Sequence, residues 1–381
     1  MKICAIICEY NPFHNGHLYQ LNAAKELSGA DAVLCVMSGN FVQRGEAAIA
    51  DKYTRARHAI LAGADAVIEL PVAFATANAE LFAKGAIHIL SSIPSITHLC
   101  FGAENADSAT FKKAAELLNN EPENVSQTIK RLIKEGVSYA KARAQAFAEY
   151  IPQEFLSSPN NILGVEYTKA LLSANTSIEI LPIARKGGDY KDNVLLENYS
   201  SATAIRTAIQ SGKNITGQLP SFVENDLALR DQKVLETMEK YAILTKSAQA
   251  IAKVCDCTEG LENALKRAAT EPATLVESLT CARYTSSRIR RIALQNALQI
   301  DEILIRESLK VPLYLRILAI KNERKDVLSV LGESSAPIVL RAHDEDVLQG
   351  AAKACYDSDN YADNVYRLLY GLPKTEKNVF I

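Results

Sequence analysis

The chain has 381 residues, 48% of them apolar and 23% charged, and a net charge of −2. That balance excludes a disordered or fibrous chain and fits a globular protein of two or three domains. Near neutrality means that a nucleic-acid partner must be held by a local basic patch rather than by overall charge.

Apolar runs at 3–8, 32–37, 66–70 and 96–101 alternate with helical spacing over 18–27, 51–61 and 78–90. Continuously apolar strands between amphipathic helices predict a Rossmann-like, doubly wound parallel α/β sheet covered on both faces. Its ligands belong beyond the carboxyl ends of the strands. Segments 9–17, 38–45, 71–76 and 102–107 should therefore surround one crevice. The pattern from 111 to 150 is helical, with breaks near Glu121-Pro122 and Gly136. Ser158-Pro159 opens a helix to about 174, and 178–183 predicts a strand returning to the sheet. After Ser200 the pattern predicts helices alone, punctuated by Pro220, Gly260, Pro272, Pro312 and Gly332. Gly212, Gly217 and Pro220 mark a boundary. The expectation is a doubly wound α/β domain over 1–212 and a mainly helical domain over 213–381.

No apolar stretch is long enough to span a membrane, and no signal peptide is readable. Eight cysteines lack a disulfide or zinc spacing, so a reduced, cytoplasmic protein is expected. No compact carboxylate cluster has metal-ligand spacing, so no protein-held metal is expected; Mg²⁺ would come with a nucleotide.

Asn11-Pro12-Phe13-His14-Asn15-Gly16-His17 lies between the first strand and the first helix. The helix start points free N–H groups and the positive dipole end at the crevice, and Gly16 admits close backbone approach. His14 and His17 can donate to a polyphosphate and stabilise charge as pyrophosphate leaves an attacked α-phosphorus. A second segment, Tyr199-Ser200-Ser201-Ala202-Thr203-Ala204-Ile205-Arg206, offers Ser N–H caps and an Arg to the same anion, although an ordinary N-cap with a surface Arg reads equally from it. Arg283-Tyr284-Thr285-Ser286-Ser287-Arg288-Ile289-Arg290-Arg291 is the densest basic cluster. It suits RNA phosphates and a stacked base; a solvated helix face is the plainer alternative.

His14-Asn15-Gly16-His17 resembles the His-x-Gly-His signature of the nucleotidyltransferase and class I aminoacyl-tRNA synthetase superfamily. The longer string from Glu9 to His17, followed by Met37-Ser38-Gly39-Asn40-Phe41-Val42-Gln43-Arg44-Gly45, resembles the bacterial tRNA(Met) cytidine acetate ligase family along the whole chain. The resemblance implies an ATP-dependent ligase. Acetate would become acetyl-adenylate, and the acetyl group would pass to N4 of the wobble cytidine of elongator tRNA(Met), releasing AMP and pyrophosphate. It implies His14 and His17 as catalytic. It implies ATP contacts from Ile7, Cys8, Glu9, Tyr10, Asn11, Pro12, Phe13, His14, Asn15, Gly16, His17, Leu18, Tyr19 and Gln20. Gly102, Asn160, Asn161, Arg185, Lys186, Ser200, Ser201 and Arg206 complete that set.

The loops after the first two strands place apolar Phe13, Phe41 and Val42 beside Asn40, Gln43 and Arg44, and these are expected to line the acetate pocket. Lys52 and Arg55, with Arg283, Tyr284, Arg288, Arg290 and Arg291, are expected to carry tRNA. Two other functions remain compatible with the residues: a small-molecule adenylyltransferase using the same His chemistry, and a non-catalytic RNA-binding protein.

Overall fold

A computed structural model describes residues 1–137, 139–186, 195–196, 198–227, 230–341, 343–373 and 379–381. Among the described residues the main sheet has seven strands: β1 (Ile3–Cys8), β2 (Ala32–Ser38), β3 (Ala66–Leu70), β4 (Ile96–Ala103), β5 (Glu179–Ala184), β6 (Leu315–Ile320) and β7 (Ile338–Val339). They form one sheet in the order β5-β4-β1-β2-β3-β6-β7. All pairs are parallel except β3 with β6. Alternate residues enter two different cores: Ile3, Ala5 and Ile7 on one face, Cys4 and Ile6 on the other. This two-sided burial is why the central strands are continuously apolar, and it bears out the doubly wound fold.

The helices that position the site are α1 (Asn15–Ser28), α2 (Lys52–Leu61), α3 (Ala79–Leu90), α4 (Pro159–Ser173), α5 (Ala202–Gln210), α6 (Gln232–Thr245), α7 (Ser286–Ala297) and α8 (Gly350–Leu369). β1 is flanked by β2 on one side and β4 on the other, so successive crossovers diverge at its carboxyl end. That divergence opens the crevice where 9–17 and 102–107 meet. Segment 71–76 is different: Val72–Ala75 forms a short buried helix directly after β3 and does not line the crevice.

The expectation of helices alone after Ser200 is corrected by β6 and β7. Leu315-Arg316-Ile317-Leu318-Ala319-Ile320 is wholly buried and pairs antiparallel with β3. Arg316 interrupts the apolar run, and its charge is met by Glu69 of β3 (3.2 Å) and Asp363 of α8 (3.2 Å). Helices α6 and α7, by contrast, join the short helices between them around a small core of Ile243, Ile251, Leu261, Leu265, Leu275, Ile289 and Ile292.

Candidate active site

His14 caps α1. Its Nδ1 accepts the Gly16 N–H at 3.0 Å, and the Nδ1 of His17 accepts the His14 N–H at 3.3 Å. A neutral imidazole that accepts at Nδ1 carries its proton at Nε2, so both rings are set as Nε2–H donors. The rings stack with centroids 3.7 Å apart. Burial, then the charges of Arg185 and Arg206, hold His14 down at about 3. Burial, then His14 and Arg185, hold His17 well below the usual imidazole value. Both are therefore neutral donors at pH 7. Gly16 is required by this arrangement, because a Cβ there would meet His14 Cε1 at 2.9 Å.

The pair lines a cleft at the carboxyl end of β1. One wall is the end of β1 and its turn: Ile7, Cys8, Glu9, Tyr10 and Asn11. The second is Gly102 of β4 with Asn160, Leu163 and Tyr167 of α4. A third comes from Val42, Gln43 and Arg44, which belong to a ribbon pairing Phe41–Val42 with Glu46–Ala47. The last is Ser201, Ala202, Thr203 and Arg206 at the start of α5. An adjoining lobe is lined by Gly16, Tyr19, Gln20, Arg185, Lys186 and Ser200. Lys186 sits 4.0 Å over the Tyr19 ring. Gly187-Gly188, which follow it in sequence, lie outside the described residues.

Hydrogen bonds tie the walls together. Ser201 caps α5 through the Ala204 N–H (3.1 Å), and Arg206 reaches back to the Asn11 carbonyl (2.8 Å). Arg44 donates to Thr203 Oγ1 (3.3 Å), joining the ribbon to α5. Glu9 accepts the Gln43 N–H at 2.7 Å, and burial pushes its carboxyl up despite Arg206, Arg44 and Arg55 nearby. Among the described residues no group of three or more His, Cys, Asp or Glu could hold a metal ion.

Several expected ATP contacts build the motif instead of facing the cleft. Phe13 is fully buried between Tyr10, His17 and Phe222. Pro12 is buried, and Leu18 packs against the core beneath α1. Asn15 is held by the Gly217 carbonyl (2.7 Å). Asn161 accepts the N–H groups of Glu104 and Asn105, while Glu104 in turn accepts the free N–H groups at the start of α4. Ser200 closes a turn on Leu196 (2.7 Å) while bordering the adjoining lobe.

The acetate-pocket expectation is corrected at three positions. Phe41 is fully buried against Tyr366 of α8, with ring centroids 5.9 Å apart. Phe13 is in the core, and Asn40 is buried on Asp363 (3.0 Å) and the Lys52 N–H (2.8 Å). Gln43 and Arg44 do face the cleft, beside Val42.

Lys52 and Arg55 cannot carry RNA phosphates, because both are fully buried. Lys52 Nζ lies 2.7 Å from both Glu69 oxygens and also pairs with Asp363. Arg55 donates to the Ala50, Glu9, Ser38 and Gly39 carbonyls, pinning the ends of β1 and β2 together.

The arginine cluster divides. Arg288 is turned inward onto the Asp256 carbonyl (2.9 Å), Thr258 and Glu259, and the Tyr284 hydroxyl donates to the Glu259 carbonyl (2.6 Å). Arg291 is half-buried, and burial lowers its pKa. Arg283 is exposed. Arg290 pairs with Glu46 (3.1 Å) and lines a groove with Arg44, Arg206 and Arg230. This groove adjoins the cleft through Arg44, Thr203 and Arg206. Gly45 (φ 73°) makes the approach feasible: a Cβ there would sit 2.6 Å from the main chain at Arg290 and Arg291. Apolar Phe82, Phe101, Leu163 and Tyr167 also line the cleft, though nothing in sequence spacing separates them from core residues.

The model of the family described as HIGH Nucleotidyl Transferase matches residues 1–379. The tRNA(Met) cytidine acetate ligase of Acetivibrio thermocellus is 39% identical over 372 residues, covering 90% of this chain and 89% of its own. That of Clostridium novyi is 38% identical over 364 residues, covering 90% of both. Thermotoga maritima TmcAL without ligand superposes with a TM-score of 0.89 at 31% identity, covering 99% of this chain and 96% of its own. The same protein bound with alpha-thio ATP gives 0.86. A family model matched over residues 1–379, and relatives at 38–39% identity over about nine-tenths of the chain, show that the protein belongs to the tRNA(Met) cytidine acetate ligase family of HIGH nucleotidyltransferases.

Proposed function

We propose that the protein activates acetate with ATP and acetylates N4 of the wobble cytidine of elongator tRNA(Met), releasing AMP and pyrophosphate. The observation that carries this reading is the His14–His17 pair. Two neutral Nε2–H donors face the cleft beside Arg185 and Arg206. Neutral imidazoles donate hydrogen bonds to a polyphosphate without the salt-bridge partners that would hold the product, while the arginines supply the charge.

In the first step an acetate oxygen attacks the α-phosphorus, and the His pair and the N–H groups opening α1 stabilise departing pyrophosphate. In the second the cytidine N4 attacks the acetyl carbonyl, with the base splayed out of its stack as a single-stranded loop permits. Mg²⁺, where the reaction uses it, arrives on the nucleotide. Gln43 and Arg44 flank the acetate, with Val42 as the apolar neighbour of its methyl group. Arg290, in the groove beside the cleft, and the exposed Arg283 contact tRNA phosphates. No helix among the described residues is long and apolar enough to cross a membrane; a cytoplasmic location follows from the proposed tRNA substrate.

The two other functions fare worse. A small-molecule adenylyltransferase leaves the arginine groove without a purpose. A non-catalytic RNA binder leaves the paired histidines without one. The test is product identity: acetate-dependent AMP and pyrophosphate support the ligase, whereas an adenylyl group retained on a product supports the adenylyltransferase.

A further inference from the structure

Under the proposed function, the second step must remove a proton from N4, a weakly nucleophilic exocyclic amine. We propose that Glu9 is a catalytic residue of that step: its carboxylate accepts a hydrogen bond from the cytosine N4 amino group and takes the N4 proton as the acyl bond forms.

Glu9 is the only carboxylate among the described residues that line the cleft. Neighbouring acids are committed elsewhere. Glu104 holds the start of α4, and Glu46 lies in the adjoining groove, paired with Arg290 and Arg206. Glu9 Oε1 is fixed by the Gln43 N–H at 2.7 Å, and no described residue donates a hydrogen bond to Oε2. One oxygen therefore anchors the carboxylate while the other is left for a ligand. A carboxylate is the side-chain partner suited to a cytosine N4 amino group, and it repels the O4 acceptor that uracil presents there.

The step balances without a further reactant. The N4–C bond forms at the acetyl carbonyl, the C–O bond to AMP breaks, and its electron pair leaves on the phosphate. The N4 proton passes to Glu9 Oε2 and then to water. Glu9 faces Arg55 from α2, Arg44 from the ribbon and Arg206 from α5, which favour its ionised form. Tyr167 of α4 and Cys8 of β1 lie beside it. Burial opposes the three arginines and leaves the carboxyl more basic than usual, which suits a proton acceptor near neutral pH.

Glu9→Gln separates this role from loop anchoring, since the amide oxygen can still accept the Gln43 N–H. Enzyme charged with ATP and labelled acetate is mixed with tRNA and quenched over time. Transfer to tRNA should fall by roughly 10²–10⁴-fold, and by far more than acetyl-adenylate formation does. The wild-type transfer rate should rise with pH through the Glu9 ionisation, and that rise should vanish in Glu9→Gln. Glu9→Asp, which keeps a carboxylate, should recover part of both the rate and the pH dependence. Unchanged transfer in Glu9→Gln overturns the proposal. So does equal loss of both half-reactions in Glu9→Gln and Glu9→Asp, which would assign Glu9 to the nucleotide or the loop. If the wild-type enzyme forms no acetyl-adenylate, the proposed function itself fails, before any variant is compared.

Discussion

The imidazoles of His14 and His17 lie face to face at 3.7 Å, and each Nδ1 accepts a main-chain N–H of the same turn. Protonating either ring would break a cap of α1 and place a cation beside Arg185. The folded His14 value of about 3 lies below the unfolded value of 6.5. Its contribution to stability is thus fully present above pH 6.5 and is lost as pH falls from 6.5 towards 3. The loss is about 1.4 kcal/mol per pH unit, or about 2 kcal/mol by pH 5. Denaturant midpoints at pH 7 and pH 5 should show a smaller pH effect in His14→Asn than in wild type; equal effects would contradict the neutral, buried ring.

The same pair should be essential to turnover. Losing a hydrogen bond to a charged phosphate costs about 1.5–3 kcal/mol, so His14→Ala and His17→Ala should each lower the rate of acetyl-adenylate formation by roughly ten- to a hundredfold or more. Wild-type rates in both would remove nucleotidyl transfer from this site.

Lys52, Glu69, Arg316 and Asp363 form a buried charged network beneath the ribbon. Removing one partner of such a network leaves uncompensated charge, and Lys52→Met should destabilise the protein by about 3–5 kcal/mol. A chemical denaturation curve measures this. A folded Lys52→Met of unchanged stability but weakened tRNA affinity would restore Lys52 to the RNA surface.

Much of the fold could be read from residue patterns, because β1 to β5 are apolar runs of near-correct extent and the helices between them show clear spacing. β6 escaped because Arg316, its second residue, interrupts the apolar run, and periodicity does not say whether a charge is solvated or paired. A signal was present all the same. Glu69 lies within the fully buried β3, and a carboxylate there demands a buried cation. Lys52, Arg55 and Arg316 were therefore candidates for the interior. At the cleft, the chemical residues stood out through the His and Ser-Ser motifs. The apolar lining did not, since Phe82 and Leu163 on long helices look like core positions until the fold opens a cleft beside them.

Acetate selectivity should depend on Val42 and not on Phe41. A hydrophobic pocket rejects one extra methylene by about 1–3 kcal/mol, so propionate should be a poor but detectable substrate. Val42→Ala should narrow the acetate-to-propionate ratio of kcat/KM. Phe41→Ala should leave the ratio unchanged and cost about 3–5 kcal/mol of stability, since Phe41 is buried under Tyr366. A ratio moved by Phe41→Ala alone would reverse this assignment.

Arg283 and Arg290 should serve tRNA and not ATP. Each Ala replacement should weaken tRNA binding and flatten the log–log salt dependence by about one unit per lost phosphate contact. Arg288→Ala should act on stability instead, because Arg288 braces 256–259. If acetate-dependent pyrophosphate exchange into ATP collapses in Arg290→Ala while tRNA affinity holds, the groove closes on ATP and not on RNA.

The most direct measurement incubates the purified protein with ATP, labelled acetate and bulk tRNA, then digests the tRNA to nucleosides. N4-acetylcytidine should appear in step with equal amounts of AMP and pyrophosphate, only when all three substrates are present, and at a rate lowered by roughly ten- to a hundredfold or more in His17→Ala. Pyrophosphate released without acetate, or label that never reaches a cytidine, would contradict acetate ligation at this site.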